Sequence, residues 1–341
     1  MCNENLLTIY KKKLADLDKV GGNAYLALQE GVLQYIEEIR HQTNDQTLVN
    51  YCTNLRNTID KINAFTNIAS IEKIVQDMGE AYFFAIALDK GVCLTKIIET
   101  SMHQTPDFEI TLKSGKKCYF EVKTPSLVNS QENLKEHQEQ SLNARISIDA
   151  QLQAGNSVAF GETCMSPWEC NNLLEMIDKG IAKIQQNIKP EQFTHTPTFL
   201  VVNWSLLQLY SNKRDGIIQP YFNNDGYIQS GEFWAMAFGN RGMPIIAFNG
   251  IEGHPTIIGN MEQFAILNRK KNSIVSGLIF LYYQWGHSSN AEQNIWGLYR
   301  DHGQLAESFS DEEREELWSI LIKLHGNYWN DKDNTQAYRW V

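Results

Sequence analysis

Four residues in the stretch 106–125 carry usable chemistry: Asp107, Glu109, Glu121 and Lys123. Carboxylates beside a lysine can hold a hard divalent cation, move a proton, or simply close an ion pair. What they do depends on how the chain gathers them. Phe108, Ile110 and Leu112 alternate with Asp107, Glu109 and Thr111, while Cys118, Phe120 and Val122 alternate with Tyr119, Glu121 and Lys123. Between the two runs stands Lys113-Ser114-Gly115, a turn signal, so the stretch reads as a β-hairpin. Successive side chains of a strand point to opposite faces, which puts the charged residues on one surface.

The register follows from the apolar faces. A one-residue slip would set Phe108 against Glu121, so the loop must be odd-numbered. A three-residue loop, with a type I turn and Gly115 in the left-handed region, meets that need and predicts Asp107 opposite Glu121. Their β-carbons would then lie about 5 Å apart. Two carboxylates so placed repel unless one is protonated or a cation lies between them. A divalent metal is the simplest answer.

Pro106-Asp107, then thirteen residues, then Glu121-Val122-Lys123 resembles the signature of the PD-(D/E)xK nuclease superfamily, with motif support over residues 70–125. The resemblance implies a restriction-endonuclease-like α/β fold, a mixed central sheet flanked by helices. It implies an Mg²⁺- or Mn²⁺-dependent endonuclease that hydrolyses phosphodiester bonds to leave 5′-phosphates, with DNA rather than RNA as partner and a homodimer as a possible assembly. The metal ligands it implies are Asp107, Glu121, the main-chain carbonyl of Val122 and Glu80. Lys123 would position or deprotonate the attacking water and steady the phosphate oxygens. Arg145 and Gln153, on the helix after the hairpin, are phosphate candidates by the same analogy, with ordinary surface residues as the alternative. Two other readings stay open: an inactive member of the fold serving as a binding or scaffolding module, and a surface hairpin closed by a Glu–Lys ion pair.

The elements that must position these groups surround the hairpin. Residues 1–68 read as a helical region punctuated at Gly21-Gly22 and at 43–46, with Val32, Leu33, Tyr35 and Ile36 on one apolar stripe and Leu48, Tyr51, Leu55, Ile59 and Ile62 on another. Ser70 reads as the N-cap of a helix whose stretch 81–88 is apolar all round, with Gly79-Glu80 at its entrance. A carboxylate there must be paired, protonated or metal-bound if it is buried, or else face solvent. The run 92–99 supplies a first strand with Leu94 and Ile97, and the polar run 129–140 an exposed helix or a loop, followed by a helix near 141–154. An amphipathic helix over 173–188, a buried strand over 198–204 and another over 274–283 complete the sheet. The core spans 69–303, and 304–341 is a helical tail opened by a capping box at Ser310.

Whole-chain composition fits this reading. Of 341 residues, 43% are apolar and 21% charged, an ordinary balance for a soluble globular chain. A net charge of −10 excludes a protein that coats nucleic acid non-specifically, yet allows one basic cleft. Arg269 and Lys270, in the basic run Arg269-Lys270-Lys271, are phosphate candidates for such a cleft, with a solvated loop as the alternative, and Lys11-Lys12-Lys13 reads as a solvated face. Six cysteines show no CxxC pair and read as reduced cytoplasmic thiols. No apolar run approaches membrane-spanning length and the start has no apolar signal core, so a cytoplasmic location without membrane contact is expected. There is no phosphate-binding P-loop, HExxH helix or GxSxG elbow.

Overall fold

The computed structural model describes residues 5–18, 30–61, 68–98, 104–126, 131–161, 170, 172–194, 197–204, 230–249, 254–268, 274–281, 295–300, 308–324 and 327–330. The chain divides into two units. One comprises residues 1–82, 128–169 and 283–289, and the other 83–127, 170–282 and 290–341.

The first unit is helical: α1 (Leu6–Asp18), α2 (Glu30–Thr43), α3 (Gln46–Asp60), the first part of α4 (Ile68–Asp89), and α5 (Gln131–Gln153). Leu6, Tyr10, Val32, Leu33, Ile36, Ile39, Leu48, Leu55 and Ile59 are buried, the three- and four-residue spacing of amphipathic helices. The break expected at 43–46 is real. Asn44 takes φ 50, and the Asp45 side chain accepts from the Thr47 and Leu48 N–H groups to cap α3. Glu37, 2% exposed, accepts from the Leu6 N–H at 2.7 Å and from Arg40 at 2.6 Å, so this buried charge is paired and also serves an N-terminal donor of α1.

Two local expectations need correcting here. Ser70 is not an N-cap, because the backbone is already helical at Ile68, so the free N–H groups lie ahead of it. The stretches 129–140 and 141–154 are not separate elements but one helix, α5. No glycine or proline interrupts it and Gln, Glu, Leu and Ala dominate, so nothing ends the first half.

The second unit is an α/β layer structure. Its sheet has seven strands in the order β1 (Thr95–Lys96), β2 (Phe108–Thr111), β3 (Lys117–Lys123), β4 (Thr198–Asn203), β7 (Gly277–Leu281), β8 (Ile295–Tyr299) and β9 (Asn327–Asn330). β3–β4, β4–β7 and β8–β9 run parallel, the other neighbours antiparallel, so the sheet is mixed. β4 and β7 are buried along their whole length, as central strands covered on both faces must be. The strand expected over 92–99 is only two residues long, because α4 ends in a Schellman turn (Val92 N–H to Ala87 O, Gly91 N–H to Leu88 O) that uses up the next residues. The tail expected to be helical carries β9 as well. Asn-Tyr-Trp-Asn is a strand-forming run that pairs with β8 at the sheet edge.

One sheet face is an aromatic row. Phe84 meets Phe108 at 5.8 Å between centroids, Phe83 meets Phe120 at 5.5 Å, Phe120 meets Phe199 at 5.4 Å, Phe199 meets Tyr299 at 5.8 Å, and Tyr299 meets Trp318 at 5.2 Å. Phe83 and Phe84 come from the end of α4, and Trp318 from α8 (Asp311–Leu324). Gly277 sits between Phe199 and Tyr299 in the ladder, where a β-carbon would come within 2.6 Å of the tyrosine ring. Only glycine lets the two rings meet across that strand. The opposite face carries Leu200, Val202, Leu278, Phe280 and Leu298, packed in one core with Met176, Ile177, Ile181 and Ile184 of α6 (Leu173–Asn187) and with Phe233 of α7 (Glu232–Phe238). β5 (Pro244–Asn249) and β6 (His254–Asn260) form a separate two-stranded sheet. Among the described residues no helix is long and apolar enough to cross a membrane.

Candidate functional site

The hairpin folds in the register that its apolar faces demand. Phe108 pairs with Phe120, Glu109 with Tyr119, Ile110 with Cys118 and Thr111 with Lys117; Asp107 immediately precedes the first of these pairs on one strand and Glu121 immediately follows it on the other. The loop is three residues long: Leu112 donates to the Lys116 carbonyl at 2.8 Å, Gly115 donates to the Leu112 carbonyl at 2.8 Å, and Gly115 takes φ +87. That is a turn closed by a left-handed glycine, a position side-chain-bearing residues resist.

The carboxylates are not on an open surface. Asp107 is 8% exposed and Glu121 only 1%, because Glu121 lies on the inner strand of the hairpin, beside Leu200 of β4. Glu121 Oε1 forms an ion pair with Lys123 Nζ at 2.5 Å. Lys123 is two residues further along the same face, which is why a short step along one strand suffices. Asp107 Oδ2 accepts the Val122 N–H at 2.8 Å, and Asp107 Oδ1 accepts Lys96 Nζ at 3.1 Å. The second unit therefore holds two acid–lysine pairs, Asp107 with Lys96 and Glu121 with Lys123, linked through the hydrogen bond from the Val122 N–H to Asp107.

Lys96 is the member that sequence reasoning missed. It lies on β1 with its ammonium 4.8 Å from the centroid of the Phe108 ring. The available signal was its alternation with Leu94, a lysine at a position where the strand calls for an inward side chain.

Pro106 explains a further feature. Carried two steps past its last pair, Phe108–Phe120, the register would set Pro106 against Val122. Proline has no N–H, so no ladder bond from it would reach the Val122 carbonyl. The Val122 N–H donates to the Asp107 side chain.

Of the other expected site residues, Glu80 belongs to the first unit, where it is half-buried and accepts the Tyr51 hydroxyl at 3.0 Å. Arg145 and Gln153 are exposed on α5, also in the first unit. Arg269 and Lys270 lie outside the described residues, as does Ile62. Among the described residues no group of three or more His, Cys, Asp or Glu side chains is gathered as for a metal ion. Burial pushes the Cys52 and Cys118 thiols up to about 12, far from the thiolate form.

Comparison of the chain with family models, with curated proteins and with solved structures finds no match.

Proposed function

We propose that the chain is a divalent-metal-dependent nuclease of the PD-(D/E)xK type, acting on DNA, with its restriction-endonuclease-like core in the second unit. One observation supports the reading: Asp107 Oδ2 accepts the Val122 N–H, while the residues on either side of Val122, Glu121 and Lys123, form an ion pair. Sequence spacing alone leaves that pairing open, and a surface hairpin would not bury its glutamate.

The donor set suits a hard cation. Asp107 and Glu121 supply carboxylate oxygens and Val122 a carbonyl, which is the chemistry of Mg²⁺ and Mn²⁺ sites. Bound there, a divalent ion lowers the pKa of its water and stabilises charge on the phosphoryl oxygens. The chain's own groups do the rest. Pro106 keeps a ladder N–H away from the Val122 carbonyl. The Val122 N–H fixes the orientation of Asp107 through Oδ2. Lys123, 16% exposed and tied to Glu121, presents an ammonium that only donates, suited to orienting a water or a phosphate oxygen.

Cleavage of plasmid and single-stranded DNA tests this directly. Mg²⁺-dependent cutting that disappears in Asp107→Ala and Lys123→Ala, with both variants folded, is the expected result. Cutting that persists in both variants removes the proposal. A second reading has its own supporting observation, since each acid is already matched to a lysine, as in a fold that keeps the scaffold without the chemistry. That inactive binding module would take up no Mn²⁺ and cut no DNA.

A further inference from the structure

We infer that Lys96 is a positioning residue of the acid pair: an internal counter-cation that holds Asp107 Oδ1 until a divalent cation loads and is displaced from it on loading. The inference rests on the metal-site reading above and adds to it a residue that the motif does not contain.

The geometry is specific to this lysine. Its ammonium lies 3.1 Å from Asp107 Oδ1 and its side chain is 27% exposed, so the stem is packed and the head is placed. The other oxygen of Asp107 is committed to the Val122 N–H, leaving Oδ1 as the oxygen to offer a metal. A lysine ammonium has three donors and no acceptor, so it cannot join a metal's coordination shell. A divalent ion and an ammonium on the same carboxylate oxygen repel each other. Metal uptake at Oδ1 therefore opposes the Lys96–Asp107 pair. Glu121 differs, because Lys123 sits on Oε1 and the carboxylate has a second oxygen. The Phe108 ring, whose centroid lies 4.8 Å from the ammonium, continues to hold the cation without competing for the acid.

Calorimetric titration of the full chain with Mn²⁺ tests this without any activity assay. Lys96→Met keeps the apolar stem and removes the charge. It should bind Mn²⁺ about 1.5- to fivefold more tightly than wild type, the equilibrium value of a part-exposed ion pair. Lys96→Gln should move the same way, so the result does not hang on one variant's folding. Lys96→Arg, which keeps the charge, and Lys117→Met, which removes the lysine paired with Glu109 at 2.6 Å, should match wild type. A merely structural lysine would leave the affinity unchanged or weaken it on removal. If wild type binds Mn²⁺ and both neutral variants bind no more tightly, the inference is wrong and the metal site stands. If no variant takes up Mn²⁺, the metal site itself is wrong, and this inference falls with it.

Discussion

Asp107 has two duties, and substituting it by alanine and by asparagine separates them. For the fold, its Oδ2 serves the Val122 N–H at 2.8 Å, just beyond the last pair of the hairpin ladder. Alanine leaves that buried N–H unserved, which costs about 1–3 kcal/mol. Lys96, left behind at 27% side-chain exposure, can turn to water, so its share is below about 1 kcal/mol. Asp107→Ala should therefore destabilise the second unit by about 2–3 kcal/mol. Asparagine keeps an acceptor for the N–H and should cost less than half of that. For the site, both substitutions remove the charge, and both should abolish Mn²⁺ uptake and DNA cleavage. Urea denaturation followed by tryptophan fluorescence measures the first quantity, since six of the eight tryptophans lie in the second unit. Calorimetry measures the second. An Asp107→Ala protein that unfolds at the wild-type urea concentration would refute the account of the N–H. An Asp107→Asn protein with wild-type Mn²⁺ affinity would refute the ligand assignment.

Four other expectations follow from named contacts. Pro106→Ala supplies the missing N–H opposite Val122, so it should weaken Mn²⁺ binding without loosening the fold, read by the same calorimetry and urea curves. Gly277→Ala drives a methyl to within 2.6 Å of the Tyr299 ring and 3.0 Å of Phe199, and should cost about 1–3 kcal/mol or more by overpacking in a denaturation series. Glu313 is held down to about 2 from its ordinary 4.5 by the Lys116 ammonium first and the Ser310 N–H second. A lowered folded-state pKa stabilises above the unfolded value and is lost on acidification, so the unfolding midpoint should fall between about pH 4.5 and 2, and Glu313→Gln should flatten that slope. Under native alkylation the exposed Cys93 should react while the buried Cys52 and Cys118 do not, as peptide mass mapping would show.

Local pattern determined a good deal of this protein. The alternation of Phe108, Ile110 and Leu112 with Cys118, Phe120 and Val122, together with an odd loop ending in Gly115, was enough to set Phe108 against Phe120 and Ile110 against Cys118, because a slip of one residue would bury charges and expose rings. The reciprocal cap between Ser310 and Glu313 (2.8 and 3.3 Å) and the break at 43–46 were legible for the same reason: caps and turns are contacts between residues near in sequence. What only the tertiary structure decided comes from neighbours distant along the chain. Glu121 is buried because β4, about eighty residues on, covers the flank of its strand. Lys96 reaches Asp107 because β1 returns alongside β2. The row of rings closes across Gly277 because three strands remote in sequence align there. No periodicity within a strand can announce which strand will lie beside it. The chemistry of the acids was therefore written locally, while their enclosure and their second lysine were consequences of packing.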